Sequence, residues 1–535
     1  MENVSAPAGH LESFADVWEK IAEAIPDAPA QKQGGRVVTW RDFDRGADGV
    51  AKALLDAGFT HQDKVAQYLY NCPEYLESFF GTLKAGMVPV NTNYRYGPAE
   101  LVYLWDNADA VCVVFHGTFS ETIDEIRAEV PKVKLWLWVD DGSHPCPDWA
   151  TPYEEVASSA PERVLPPWER SGDDIIMLYT GGTTGMPKGV MWRQADLMAQ
   201  YGANSQFAVS DEPPAVPGPP GVPACPIMHG TGMFVSFLVL TLGGCVVTLT
   251  KRSYDPEELL DTIEREKVSI LTIVGDAFAK PMLATLDASP ERWDISSLGV
   301  VVSSGVMWSG ATKRGMLKHH PAMALSDHFS SSEALGMASS TSTGDTVNET
   351  AKFTLGPNTR VIREDGTDVD RGTGEVGMLA ISGRGVPVGY YKDPEKTART
   401  FREVDGERYS IPGDFAMVDE DGTVHVMGRG SVCINTGGEK VYPEEVEEVL
   451  KEHPSVRDAA VVGVPDEKWG EAITAMVEPS SGSIDEAELI AHVKSRLAAY
   501  KAPKRVLDVR TVGRSPAGKL DYTTLRRDAV ERVGS

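Results

Sequence analysis

Apolar positions along this chain keep to two alternating rhythms. Within residues 40–57, Phe43, Ala47, Val50, Ala53 and Leu54 recur at three- and four-residue spacing, which predicts a helix with one buried face. Residues 64–70 then form a short strand-like run, 73–83 return to helical spacing, and 86–90 read as strand again. Such a β-α-β succession predicts parallel sheets covered by helices. It recurs at 110–115, 135–139, 270–274 and 299–303. Near Gly372 the texture changes to short strands with glycine turns, at 377–382 and 419–427. A compact α+β unit follows Gly428. Its helix, 442–452, is opened by Pro443 and acidic residues, which suit a helix N-terminus, and strands are predicted at 459–464 and 472–478. The fold class predicted is α/β: a large N-terminal domain, 1–429, of parallel-rich sheets flanked by helices plus a small β-barrel-like subdomain, then a small α+β domain, 430–535. The proline-rich stretch 213–226 reads as a surface excursion.

A length of 535 residues agrees with more than one domain. The net charge of −27 argues against general nucleic-acid binding, which calls for a basic face. Residues 490–535 run the other way, with eleven Lys or Arg against four Asp or Glu. A run of this kind is either a solvated helical surface or a face for a phosphate-rich ligand. Six scattered cysteines suggest neither a disulfide framework nor a zinc site, and no apolar signal segment opens the chain. The apolar run 233–249 is interrupted by Gly243-Gly244 and falls short of the roughly 20 residues of a membrane span. It predicts a buried helix, a tight turn and a buried strand. A cytoplasmic protein with no transmembrane segment is expected, and a homodimer is left open.

The densest chemistry lies in Tyr179-Thr-Gly-Gly-Thr-Thr-Gly-Met-Pro-Lys-Gly-Val190. An apolar strand feeds this segment, so it sits at a strand's carboxyl end, where open α/β sheets bind ligands. Gly181, Gly182, Gly185 and Gly189 allow close backbone approach to an anion. Thr180, Thr183 and Thr184 add hydroxyl donors, and Lys188 adds a charge. The set suits a polyphosphate but is no Walker loop, since Lys188 stands between Pro187 and Gly189. The segment resembles the signature loop of the adenylate-forming superfamily, which includes acyl-CoA synthetases, firefly-type luciferases and peptide-synthetase adenylation domains. The resemblance extends, with motifs in the expected order, from about Thr39 to Lys519.

That resemblance implies roles for further residues. Ser304, Gly305 and Val306 are similar to the family's adenine-contacting turn. In Asp327-His328-Phe329-Ser330-Ser331-Ser332-Glu333, Phe329 would stack on adenine, Ser332 would stand near the phosphates and Glu333 would help hold Mg²⁺, a hard cation suited to carboxylate and phosphate oxygens. The family pattern has Gly and Thr where this chain has Ser330 and Ser332. Asp414 resembles the ribose-binding carboxylate, and Arg429 the Arg before the interdomain hinge, here Gly430 and Ser431, where relatives carry Asp or Lys in place of the serine. Arg514-Ser-Pro-Ala-Gly-Lys519 resembles the catalytic-lysine loop. A carboxylate attacking the α-phosphate of ATP brings two anions together, and Lys519, Lys188 and Mg²⁺ would oppose that charge.

The same resemblance implies a C-terminal domain that is mobile, serving adenylation in one orientation and thioester formation in another. Gly438, Glu439 and Lys440 would enter the site for the second step. Coenzyme A is the expected acceptor, because no carrier domain follows and the basic 490–535 stretch suits its phosphates. In Pro226-Ile-Met-His-Gly-Thr-Gly232, His229 matches the aromatic beside the reacting carboxylate. With Gly230, Gly232, Gly305 and the unexplained Asp276, it outlines a roomy apolar acyl pocket. The ensemble is similar to actinobacterial synthetases for fatty or bulky acids, such as sterol side-chain or diterpenoid acids. The reading is an ATP-dependent acyl-CoA synthetase. Its alternatives are a ligase that loads a carrier-protein thiol, a luciferase-like oxygenase, and a non-catalytic nucleotide-binding homologue.

Overall fold

Where an apolar run has no polar alternation, both faces of its strand must be covered, and here they are. Strands Lys64–Tyr68, Val88–Asn91, Ala110–His116 and Leu135–Val139 pair in parallel inside an eight-stranded sheet. Burial runs through almost every position of Ala110–His116, as expected of a parallel strand with helices on both sides. The computed structural model describes residues 13–182, 185–204, 213–306, 308–344, 346–429, 432–436, 439–466, 469–497, 499–515 and 518–534.

Helix Trp40–Asp56 starts at Thr39, whose hydroxyl accepts from the Asp42 N–H, and it buries Phe43, Ala47, Val50 and Leu54. It crosses helix Pro73–Lys84 closely enough that a Cβ on Gly81 would lie 2.6 Å from that of Val50. Lys84, fully buried at the end of this second helix, meets Asp44 at 2.6 Å and Asp48 at 2.7 Å. A buried ammonium without such partners would be strongly destabilising.

The second sheet has fifteen strands. Ile270–Ile273, Val300–Ser304 and Ala324–Ser331 run parallel, in a register that pairs Val302 with Ser326 and Ser304 with His328. From Ala334–Ser342 onward the strands turn antiparallel. The short strands expected as a barrel-like subdomain are therefore a hydrogen-bonded continuation of this sheet. Residues 213–219 are largely exposed, but the expectation of a surface excursion through 226 does not hold. Gly221–Pro223 is a buried strand, parallel to both Val246–Thr248 and Ile270–Ile273. Proline is tolerated because it ends the strand, and Ala224 resumes the ladder by donating to the Thr272 carbonyl at 3.0 Å. The apolar run 233–249 resolves into helix Gly230–Thr241, a turn with Gly243 at φ +70° and buried Val246–Thr248. Among the described residues no helix is long and apolar enough to cross a membrane. Among the described residues no cysteine is joined in a disulfide.

The C-terminal region holds a five-stranded sheet of its own, in which Val456–Asp466 pairs antiparallel with Gly470–Pro479. Helix Pro443–Lys451 covers it through Val446, Val449 and Leu450. Much of the positive charge of the tail is matched locally. Arg496 pairs with Glu452, Lys501 with Glu445, Arg514 with Asp458 and Arg526 with Glu471. For these four the solvated, internally compensated reading of the basic run is the better one.

Candidate active site

Strand Ile175–Gly182 turns back on Gly185–Arg193, so the glycine-rich segment is the tip of a β-hairpin, with Thr180 paired to Lys188 and Gly182 to Gly185. Thr183 and Thr184 lie outside the described residues. Asn91 ties this hairpin to the segment ahead of His229. Its amide donates to the Tyr179 carbonyl at 2.9 Å and the Met228 carbonyl at 2.7 Å, and its oxygen accepts from the Tyr179 N–H at 2.6 Å. Nothing in the sequence pattern singled out Asn91. It sits at the carboxyl end of a parallel strand, where side chains face a site.

Lys188 Nζ donates to Asp393 Oδ2 at 2.6 Å and lies 5.7 Å from the centre of the Tyr390 ring. The ammonium holds the Asp393 carboxyl below its ordinary range. Asp393 also caps helix Pro394–Thr400 through the Lys396 N–H. Tyr390 in turn donates its hydroxyl to Glu333 Oε1 at 2.8 Å. Ser410 Oγ donates to the Glu333 carbonyl and Trp192 Nε1 to the Ser332 carbonyl. Glu333 is thus oriented from the hairpin strand pairing, Tyr390 opposite Val190. Tyr390 and Asp393 were missed, because Gly-Tyr-Tyr-Lys-Asp carries no local sign of a partner 205 residues away.

A cavity of about 460 Å³ opens beside these groups, lined among others by Thr180, His229, Gly230, Ser304, Gly305, His328, Ser330, Ser332 and Lys519. Gly305 has φ +95°, in the left-handed region that favours glycine. His229 precedes helix Gly230–Thr241, and burial, then the nearby Lys519 and Arg95 charges, push its imidazole down to about 3. It is neutral at working pH and presents no charge to an acid.

The loop that carries Lys519 is closed on itself. Ser515 N donates to the Lys519 carbonyl at 2.9 Å, and Gly518 N to the Ser515 carbonyl at 2.8 Å. Arg514 clasps it, with two nitrogens on Asp458 at 2.6 and 2.9 Å and a third on the Gly518 carbonyl at 2.9 Å. Gly518, at φ +71°, lies so close to the N-terminal region that a Cβ there would come 3.2 Å from Val306 and 3.3 Å from Ala277. The loop is therefore docked with Lys519 at the cavity.

Other expected residues lie elsewhere. Phe329 faces Phe353 at 5.9 Å on the far side of its strand and does not line the cavity. Asp327 is buried against Lys313 at 2.8 Å, and burial lifts its carboxyl to about 6 against the pull of that ammonium. Asp276 accepts from the Ser309 N–H at 3.1 Å and approaches Lys280 at 3.4 Å, so it braces the turn after Gly305. Gly232 packs on the Pro226 carbonyl, where a Cβ would come within 2.5 Å. Asp414, buried, stands opposite Arg429 in one ladder. Glu439 and Lys440 belong to strand Glu439–Val441 of the C-terminal sheet. Gly430, Ser431 and Gly438 lie outside the described residues.

A glycine-rich hairpin, a buried histidine ahead of a helix and a docked lysine loop meet around one cavity, and the chain belongs to the AMP-binding enzyme family. The family's model matches residues 18–391, and that of the AMP-binding enzyme C-terminal domain matches 445–519. Among relatives, a medium/long-chain-fatty-acid–CoA/3-oxocholest-4-en-26-oate–CoA ligase of Mycolicibacterium smegmatis is 39% identical over 97% of each chain. A 3-oxocholest-4-en-26-oate–CoA ligase of Rhodococcus rhodochrous is 38% identical over 95% of this chain and 94% of its own. Among solved structures, ATP-bound MatB from Rhodopseudomonas palustris superposes with a TM-score of 0.81 at 27% identity, over 97% of this chain and 99% of that one.

Proposed function

We propose that this enzyme, an ATP-dependent AMP-forming acyl-CoA ligase, activates a largely apolar carboxylic acid of the fatty or sterol side-chain kind named for its relatives. The observation that carries this reading is the docked Lys519 loop, which sets a cation from the C-terminal region into the same cavity as His229, Thr180 and Gly305. The acid lies against His229 and Gly230, and the nucleotide along Thr180, Gly181, Gly182, Ser304, Gly305, Ser330 and Ser332. Attack by the carboxylate on the α-phosphate forms the acyl-adenylate and releases pyrophosphate. Lys519 and Lys188 oppose the charge that accumulates in that step, and a neutral His229 adds no competing ion pair.

Glu333 fits a Mg²⁺ role. One carboxylate oxygen is held by Tyr390, and among the described residues no group of three or more metal-ligating side chains surrounds it. A site with one protein carboxylate suits Mg²⁺, which completes its shell with phosphate oxygens and water. When bound, the ion would neutralise charge on the leaving pyrophosphate.

For the second step the region after about residue 430 swings about Gly430–Ser431, withdraws Lys519 and brings Gly438, Glu439 and Lys440 to the site. The CoA thiol then attacks the acyl carbonyl and AMP departs. Cysteines that form no disulfide among the described residues suit a reducing, cytoplasmic setting. Pyrophosphate exchange dependent on a fatty acid, followed by mass spectrometry of the CoA thioester, tests the reading. Exchange without thioester would favour a carrier-protein acceptor, and ATP binding without exchange would favour a non-catalytic homologue.

A further inference from the structure

The cavity continues past the reacting end as a slot down one face of the large sheet, and its lining alternates as a strand face must. Val300, Val302 and Ser304 line it, as do Ser326, His328, Ser339 and Thr341, while their strand neighbours Val301, Ser303, Asp327 and Ser340 do not. The opposite wall is helical and apolar, with Phe234, Val235 and Leu238 on one face of Gly230–Thr241.

The sheet wall is not uniformly apolar. Ser326 stands directly opposite Thr341, and His328 opposite Ser339, so the four side chains form two adjacent rungs of one polar patch. Ser326 and His328 are joined at 2.9 Å through the ring Nε2. Burial holds the His328 imidazole below its ordinary pKa, so it offers one donor and one acceptor and no charge. With Nε2 engaged by Ser326, its second nitrogen remains available, and so do the hydroxyls of Ser339 and Thr341, which are exposed until a ligand covers them and make no side-chain hydrogen bond to the protein among the described residues. Below the patch Val300 closes the sheet side again.

A slot built only for hydrocarbon would leave these groups facing a ligand that cannot satisfy them, at a real cost in binding. We infer that the acid this enzyme activates carries a hydroxyl or carbonyl oxygen along its otherwise apolar body, received by the patch of Ser326, His328, Ser339 and Thr341. The inference rests on the acyl-CoA ligase reading and narrows its substrate class. Strand geometry sets the position of the oxygen. The His328–Ser339 rung is one residue below Gly305 and the Ser326–Thr341 rung three residues below it, at about 3 and about 10 Å, so with the carboxyl at the level of Gly305 the oxygen lies about two to eight bonds from the carboxyl carbon.

The test compares pairs of equal length in the pyrophosphate-release assay with the full-length enzyme, ATP and CoA: 6-hydroxyhexanoate against heptanoate, 8-hydroxyoctanoate against nonanoate, 12-hydroxydodecanoate against tridecanoate, and 4-hydroxycinnamate against 4-methylcinnamate. One or two neutral hydrogen bonds predict kcat/KM about 10- to 100-fold higher for the oxygenated member of the hexanoate, octanoate or cinnamate pair, and no advantage at the dodecanoate length. In a Ser339→Ala/Thr341→Val double variant, which keeps the volume of the rim, that ratio falls towards one. Equal turnover within every pair overturns the inference and leaves the ligase reading standing. A preference that survives in the double variant also overturns it, because the oxygen is then recognised elsewhere. If neither these acids nor a sterol side-chain acid releases pyrophosphate, the ligase reading fails and the inference falls with it.

Discussion

Two lysines reach the candidate site from regions built in opposite ways. Lys188 stands in the ladder of a hairpin, and its charge is already answered by Asp393 at 2.6 Å. Lys519 stands on a loop closed by its own backbone, held from behind by Arg514 and set against the N-terminal region through the narrow seam of Gly518 on Val306 and Ala277. A cation in a sheet ladder is positioned continuously and cannot be withdrawn without breaking strand pairing. One carried by a region with a sheet of its own can be withdrawn without breaking the strand pairing that builds the rest of the site. On the proposed reaction, this contrast fits Lys188 to holding the nucleotide throughout, and Lys519 to the step in which charge appears and then disappears.

The largest effect that would sharpen this contrast is expected from Lys519→Ala. Loss of one well-placed charge-stabilising group lowers acyl-adenylate formation about 10²–10³-fold, while thioester formation from supplied acyl-AMP and CoA stays within a few-fold. Equal losses in the two half-reactions would break the division of labour. Next comes Arg514→Met, which leaves the Asp458 carboxylate without its fork. We expect about 2 kcal/mol of destabilisation in thermal melts and about a tenfold slower adenylation, with little recovery in Arg514→Lys because lysine cannot span both oxygens.

A smaller change is expected from Asp393→Asn, which still caps its helix but releases Lys188 from a half-exposed ion pair. A pair of this kind is worth about 0.3–1 kcal/mol, so KM for ATP falls about two- to fivefold with an unchanged melting temperature. A rise in KM would show that Asp393 aims Lys188 rather than competing for it. The smallest signal is the His229 titration. Its folded pKa, about 3, lies below its unfolded value, so the unfolded chain binds more protons between those pH values and stability contributed by His229 is lost as pH falls through that window. Within pH 6–8 the adenylation rate therefore shows no inflection from this residue. In Lys519→Met, one of the charges opposing protonation is gone, and an NMR titration should find the His229 pKa higher than in the parent, though still depressed by burial. An unchanged value would mean that the loop does not dock beside His229 in solution.

Much of this protein was written in short-range pattern. Three- and four-residue spacing located helix Trp40–Asp56, continuous apolar runs located the buried parallel strands, and the glycine-rich segment with Lys188 pointed to phosphate chemistry before any fold was known. Those signals are local because backbone geometry imposes the periodicity and glycine the close approach. Tertiary structure alone decided who meets whom: Asp393 with Lys188, Asp458 with Arg514, Lys313 with Asp327, and four polar side chains on two neighbouring rungs of an apolar slot. It also placed Gly221–Pro223, whose proline-rich flank reads as loop, in the interior of a sheet. Each of these depends on strand register or on pairing across long stretches of chain. Single-residue chemistry states only that a charge needs a partner, and the folded chain selects which one.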